Sequence, residues 1–414
     1  MILETKRRTL SPHAAYALVA AVIGLALFAS ATPSPLYDIY RDLWGFSQAV
    51  LTLVYAIYAF GVLAALLLAG RVSDEVGRRP VLLVSLGTLA ATSVLFMLAD
   101  SVAWLFVARG LQGLATGLAL AAASAALLDL HPTRDSAGVG LTNGVASAGG
   151  IGLGMLASAT LVQLLPAPRV LPYVVVFVLF AVAFAGALLM PEPVESRTRF
   201  RLTPQRPRVP SSVRRPFFLA ALAVMSSWSI AGLFLSLGPQ LSAAIFDTDN
   251  HLVTGLSMFV LAGCGALAQL VYGRRAAWAG ASGGSVALVI GTAILVASAS
   301  TDSAALLLIG SVIGGAGFGV AFLGALRALS AVIPSDHRAS VMSAFYVVAY
   351  ASLSVPAVIA GIMVTPLGLE STFEILGSVA AALAIVVAVE AWRTRPRAVP
   401  AYKRDGRRAA ASPS

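Results

Sequence analysis

The stretch Gly70-Arg71-Val72-Ser73-Asp74-Glu75-Val76-Gly77-Arg78-Arg79-Pro80 places five charged side chains between two apolar runs, near 48 to 70 and 80 to 99. Each run is about long enough to cross a hydrocarbon core of ~30 Å at 1.5 Å per residue. The stretch therefore reads as a tight charged turn joining two membrane spans, in which Gly70 and Gly77 permit close backbone approach. Asp74 stands where a carboxylate can meet the positive N-terminal end of a neighbouring helix, and Arg78 and Arg79 where they can pair with acids such as Asp129. Contacts of this kind form in one conformation and break in another.

The rest of the chain is written for the same solvent. Of its 414 residues 58% are hydrophobic and only 11% charged, and the mean hydropathy of +0.88 lies outside the range of soluble domains. Apolar runs bounded by charges, Pro and Gly predict helices near 14 to 40, 48 to 70, 80 to 99, 102 to 128, 137 to 165 and 171 to 190. Six more follow near 217 to 243, 252 to 273, 283 to 300, 304 to 332, 339 to 364 and 371 to 392. The first run contains Phe28 and continues into proline-bearing sequence without a nearby A-x-A-like cleavage site, so it is expected to be a retained helix. The expected class is an all-α integral membrane protein of twelve transmembrane helices.

Residues 191–216 carry seven arginines and several prolines, a composition that neither spans lipid nor packs a core, and are read as a basic linker. This divides the chain into a six-helix bundle over 1–190, the linker over 191–216, a second six-helix bundle over 217–392 and a basic tail over 393–414. With both termini cytoplasmic, all but three of the 28 basic residues fall on the cytoplasmic side; the exceptions are Arg41, Arg169 and Arg109. That asymmetry orients the chain and accounts for its net charge of +10 through the membrane, without nucleic acid. The halves also echo each other 202 residues apart, pairing Gly61 with Gly263, Gly113 with Gly315, Gly117 with Gly319, Pro132 with Pro334 and Ala137 with Ala339. Such internal duplication is typical of transporters.

The charged turn resembles the signature of the major facilitator superfamily, G-x-L-a-D-r-x-G-r-[KR]-x-x-l, with Glu75 where Arg is usual. The resemblance implies two pseudo-symmetric six-helix bundles, helices one, four, seven and ten around a central cavity, and alternating access. It also implies a cytoplasmic gate at Gly70, Asp74, Gly77, Arg78, Arg79 and Asp129, where Asp74, Arg78 and Asp129 form a charge network favouring the outward-facing state.

Within helix four, Arg109-Gly110-Leu111-Gln112-Gly113-Leu114-Ala115-Thr116-Gly117 buries an arginine about two turns inside the apolar region, at a cost of at least ~2.5 kcal/mol. Gln112 shares its face, and Gly113 and Gly117 form a small-xxx-small seam, so a polar pocket facing the bundle interior follows. The alternative is that Arg109 snorkels to the outer interface. The run resembles the superfamily's R-x-x-q-G motif, which is associated in drug exporters with proton coupling. Helix five holds Gly149, Gly150 and Gly154 in a run similar to the antiporters' glycine-rich motif. Met155 stands where that motif has proline, which speaks against export; the glycines otherwise serve helix packing.

Helix one contains Pro33 and Pro35 before Tyr37 and Asp38. The prolines remove backbone donors and expose carbonyls, while Asp38 is either a coupling acid or simply hydrated. In the second half Trp228, Phe318, Phe322, Tyr346 and Tyr350 offer aromatic surfaces for an amphipathic cavity or for packing. Arg327, near the end of helix ten, either faces the cavity or snorkels.

No membrane-span centre carries Asp or Glu, and His13, His131, His251 and His337 fall in loops or tails. Neither a P-loop nor an H-E-x-x-H nor a nucleophile elbow is present, so nucleotide-driven pumping and catalysis are not expected. A single cysteine, Cys264, provides neither a disulfide nor a cysteine metal site within one chain. The expected function is secondary transport of a small solute without cofactor or metal, with protons as the candidate coupling ion. Export of amphipathic or lipophilic compounds from a bacterial inner membrane leads. Uptake or facilitated diffusion of one metabolite, possibly paired with Arg109 as an anion, is the alternative, and a non-transporting receptor or scaffold the remote one. A monomer is the default.

Overall fold

The computed structural model describes residues 9–69, 72–194, 208–273, 275–334 and 337–393; Gly70, half of the 191–216 segment and all but the first residue of the 393–414 tail lie outside them. The first six long helices are α1 (Pro12–Ala31), α2 (Gln48–Ala69), α3 (Arg78–Met97), α4 (Val102–Leu130), α5 (Ser136–Leu164) and α6 (Leu171–Leu188). They are followed by α7 (Arg214–Phe246), α8 (His251–Tyr272), α9 (Ala277–Ser300) and α10 (Ala304–Ser330). The last helical run, Arg338–Arg393, has 56 residues and would extend roughly 84 Å if straight, far beyond one crossing. Gly368, at φ 83° and ψ 168°, breaks it into α11 (338–367) and α12 (369–393), a backbone state open to glycine because it lacks Cβ. No strand occurs among the described residues.

Large apolar side chains such as Val271, Leu164 and Val182 are more than half exposed, an arrangement that water would penalise and lipid does not. The protein is a multi-pass membrane protein. Helix starts are set by ordinary capping: Asp135 accepts from the amides of Ala137 and Gly138, and Asn250 from Leu252.

Two expected boundaries differ. The first span does not run unbroken over 14–40: α1 stops at Ala31, a 3₁₀ turn follows over Ser34–Leu36, and a separate helix covers Tyr37–Trp44, because Pro33 and Pro35 donate no backbone hydrogen bond. The ninth span begins at Ala277 rather than near 283. Gly284 sits inside it, where a Cβ would meet the Ala321 amide at 2.3 Å, so this glycine serves contact with α10 and does not end the helix.

The repeat becomes a repeated seam. A Cβ on Gly113 of α4 would lie 2.1 Å from the Tyr58 carbonyl of α2, and one on Gly315 of α10 would lie 2.1 Å from the Leu261 carbonyl of α8. Gly117 and Gly319 continue the same seams one turn on. Gly61 packs against α4, whereas Gly263 faces open space, so that pair of the repeat is not structurally equivalent.

One buried cluster draws on α1, α3, α4, α5 and α6 with Met190, and another on α7, α10, α11 and α12 with Val213. A third joins Tyr55 and Tyr58 of α2 and Met155 of α5 to α7, α8 and α11. Contact between the first and last six helices runs through α2 with α11, where Thr52 abuts Gly361, and through α5 with α8, where Gly152 abuts Ala262.

Gly150 and Gly154 back onto the Gly24 and Phe28 carbonyls of α1 at 2.1 and 2.3 Å from an added Cβ, while Gly149 has nothing within 4 Å. Gly150→Ala is therefore expected to cost about 1–3 kcal/mol through backbone displacement. Gly149→Ala should be neutral or stabilising by up to about 1 kcal/mol through helix propensity. Thermal melts of the two purified variants in one detergent check the contrast.

Candidate functional site

The break in α1 creates the centre of the site. Pro33 has no N–H, so the Ala29 carbonyl lacks its helical donor, and Gln112 of α4 supplies one through Nε2 at 3.0 Å. The neighbouring Ser30 carbonyl accepts from Arg109 Nη1 at 2.8 Å, and Ser158 of α5 donates to the Thr32 carbonyl at 2.6 Å. The two prolines that follow α1 thus leave carbonyls at its end open to α4 and α5.

Arg109 is 0% exposed, which rules out snorkelling. Its Nε donates to the Tyr37 hydroxyl at 2.8 Å, Nη2 donates to the same oxygen, and Nη1 donates to Gln112 Oε1 at 2.8 Å. Four of its five N–H groups are engaged, all with neutral acceptors. Its guanidinium lies 5.5 Å from the Tyr37 ring and 5.3 Å from the Tyr58 ring, cation–π contacts that disperse charge. Among the described residues no carboxylate pairs with it. The Tyr58 hydroxyl lies near Ser30 and Thr116 without reaching hydrogen-bonding geometry to either.

In the second half an aromatic wall forms around Trp228 of α7, whose ring centroid is 5.5 Å from Phe322 and 5.2 Å from Tyr350. Phe345 lies 6.2 Å from Phe322 and 5.8 Å from Tyr346. Trp228 Nε1 is buried without a partner among the described residues. Trp228, Tyr346 and Phe318 pack on the edge of the cluster that contains Tyr58 and Tyr350, so the wall adjoins the Arg109 pocket. Arg327 does not join it: its Nη1 donates to the Gly273 and Arg275 carbonyls beyond α8, where those orphan carbonyls hold it.

At the end of the molecule where α1 begins and α6 ends, Arg78 gathers Asp74, Ser73 at 2.8 Å and Asp129 at 3.0 Å. Gly77 adopts φ 112°. One expectation is corrected there: among the described residues no acid pairs with the Arg79 side chain, which donates to the Ala187 and Leu188 carbonyls ending α6. The N-terminus of α3 is met by Glu192, which accepts from the Arg78 amide at 2.9 Å and the Arg79 amide at 3.1 Å, where the helix dipole favours negative charge. A Cβ at Gly77 would strike this carboxylate at 2.5 Å.

At the opposite end Asp38 is neither alone nor simply hydrated. It pairs with Arg41 at 3.0 Å and accepts from Gln240 Nε2 of α7 at 3.3 Å. Gln240 also donates to Gln48 Oε1 at 2.9 Å, which accepts from Arg41 at 2.8 Å. The His251 amide donates to Gln163 at 2.9 Å. These bonds tie the first six helices to the last six.

Sequence reasoning missed Tyr58, Phe345, Glu192, Gln48 and Gln240. Tyr55 and Tyr58, three apart in an apolar run, were a legible signal of a polar helix face; Glu192 was not, because its partners are backbone amides over a hundred residues away. Two cavities, of about 650 Å³ between α1, α5 and α8 and about 500 Å³ beside Trp278, include neither Arg109 nor Trp228. His, Cys, Asp and Glu form no metal-binding group among the described residues.

The Major Facilitator Superfamily profile matches residues 18–301. Multidrug resistance protein MdtL of Escherichia coli O157:H7 (strain EC4115 / EHEC) is 37% identical over 100 residues, 24% of this chain and 26% of the relative. MdtL of Escherichia coli O45:K1 (strain S88 / ExPEC) matches to the same extent; the aligned stretch spans about a quarter of these relatives. The crystal structure of the human organic anion transporter MFSD10 (TETRAN) superposes with a TM-score of 0.66 at 18% identity, covering 91% of this chain and all of that one, a likeness of fold. With more than half of its length matched by the family profile and its helices arranged in that fold, the chain belongs to the Major Facilitator Superfamily of membrane transporters and is not an enzyme.

Proposed function

We propose that this transporter exports small amphipathic or lipophilic compounds by alternating access, from a bacterial plasma membrane with both termini in the cytoplasm. The observation that carries this reading is the contiguity of one buried cation, Arg109, with an aromatic wall at Trp228, Phe322 and Tyr350. Such a lining is apolar with a few polar groups, as small-molecule sites are. The similarity of a quarter of the chain to a multidrug resistance protein points the same way. The six-helix units 1–190 and 217–392 are the moving bodies, the 191–216 segment their linker, and solute binding shifts their populations.

In this scheme Arg109, Gln112 and Tyr37 form the polar centre. Asp74, Arg78 and Asp129, with Glu192, shape the gate at the cytoplasmic end. Asp38, Arg41, Gln48 and Gln240 latch the opposite end, and the latch must open for the solute to leave. A second reading, uptake or facilitated diffusion of one metabolite, is favoured by Met155 after Gly154 and by the position of every described acid at or near a helix end, which leaves proton coupling without a carrier at the span centres.

Accumulation of cationic, neutral and anionic fluorescent amphiphiles in efflux-deficient bacteria tests the leading reading. Uncoupler-sensitive lowering of dye content by the wild-type chain, lost in Arg109→Ala at equal membrane abundance, is the expected outcome; unchanged accumulation across the panel would favour the metabolite carrier. Gln240→Ala should loosen the latch. In a Cys264→Ser background, a Thr52→Cys side chain, buried against Gly361, is then expected to react with maleimide severalfold faster than with Gln240 intact. Glu192→Ala removes the α3 cap and should cost about 1 kcal/mol, lowering turnover more than affinity; melting curves and transport at varied solute concentration measure both.

A further inference from the structure

Resting on the transport reading above and narrowing it, we propose that the preferred solute is an amphipathic organic anion, a ring-bearing molecule whose single negative group supplies the counter-charge that Arg109 lacks while its ring lies against the Trp228 wall. Three independent observations converge on this chemistry.

The first is the sign of the interior. The chain has 18 acidic residues, yet those described lie at or near helix ends or in connections, and none pairs with Arg109. The guanidinium is completely buried and bonded only to a hydroxyl, a carbonyl and an amide oxygen. In a low-dielectric interior an uncompensated charge acts over many ångströms. It repels an entering cation, against which the described residues provide no carboxylate, and attracts an anion.

The second is the polarity of the unmet groups. Trp228 Nε1 can only donate, and it is buried without an acceptor among the described residues. Among the described residues the hydroxyl of Tyr58, whose ring lies 5.3 Å from the guanidinium, and the neighbouring Thr116 hydroxyl are also unmet, each able to donate as well as accept. Arg109 itself retains one N–H on Nη2. Buried donors left open are costly, and a ligand oxygen that meets them recovers that cost. The unmet acceptor Gln269 Oε1 belongs elsewhere, at the α5–α8 seam against Gly144.

The third is the wall itself. Phe322 and Tyr350 flank Trp228 at 5.5 and 5.2 Å, a surface suited to a flat ring. Tyr58 and Tyr350 share one buried cluster with Trp228 on its edge, so ring and anionic group are served by adjoining surfaces.

The test uses the full-length protein in lipid nanodiscs and three probes with one ring system: 1-naphthoate, 1-naphthamide and 1-naphthylmethylamine, which are anionic, neutral and cationic at pH 7. Isothermal titration calorimetry is expected to rank naphthoate at least tenfold tighter than the amide, with the amine weakest. Arg109→Gln should bring naphthoate down to the amide's affinity. Trp228→Phe, which keeps a ring and removes the N–H, should weaken naphthoate severalfold and naphthamide less, because the lost donor bonds a charged acceptor more strongly than a neutral one. The wild-type ranking decides the matter even if Arg109→Gln fails to fold: equal affinities, or an amine that binds as tightly as naphthoate, overturn the proposal. Counterflow in proteoliposomes separates it from the broader reading. Transport of all three probes without charge preference leaves amphipathic transport standing and anion selectivity refuted, whereas no binding and no flux of any probe refutes both.

Discussion

A guanidinium removed from water inside a membrane span has to be met by other groups, and here those groups come from a defect in the neighbouring helix. Pro33 takes one donor out of α1, and the chain breaks at Thr32 into a 3₁₀ turn. The carbonyls at Ala29 and Ser30 then bond Gln112 and Arg109. Each irregularity compensates the other: the broken backbone would be untenable in lipid without donors, and the arginine would be untenable without acceptors. Their coupling fixes α1 against α4, and the helix that follows the break places Tyr37 under the guanidinium.

The remaining helices are held by close approach more than by hydrophobic force, since lipid tails are as apolar as leucine. Backbone-to-backbone seams of glycine recur between α2 and α4, α8 and α10, and α1 and α5. The seams between the two sets of six helices, α2 with α11 and α5 with α8, are supplemented by hydrogen bonds from Gln240 and His251 at one end. That interface combines small-residue packing and a few polar ties with one shared apolar cluster, in which Tyr55, Tyr58 and Met155 of the first six helices are buried against the last six.

The charged loop illustrates how far local reading reaches. Arg78 with Asp74 and Asp129 was legible, because spacing on one turn and the end of α4 bring them within reach. The roles of Arg79 and Glu192 were not, since both act on backbone groups of other segments: Arg79 on the carbonyls ending α6, Glu192 on the amides starting α3. Side-chain identity carries no record of which distant peptide group it will meet. Asp38 was likewise visible as the acid nearest the interior, but its partner Gln240 lies 202 residues away in a helix whose sequence looks merely apolar.

What the sequence determined by itself is the solvent and the segmentation: long apolar runs, charged turns, prolines in helix one and a lone arginine in helix four follow from hydropathy and from the donors that proline lacks. Its glycine spacing also identified Gly113 and Gly117 as contact positions. Only the tertiary structure decided what compensates Arg109, that Arg327 serves the end of α8, that Phe345 completes the aromatic wall and that Glu192 caps α3. Those outcomes depend on which helices become neighbours, and in a membrane that choice is made by the fit of surfaces distant in sequence, for which apolar composition encodes no address.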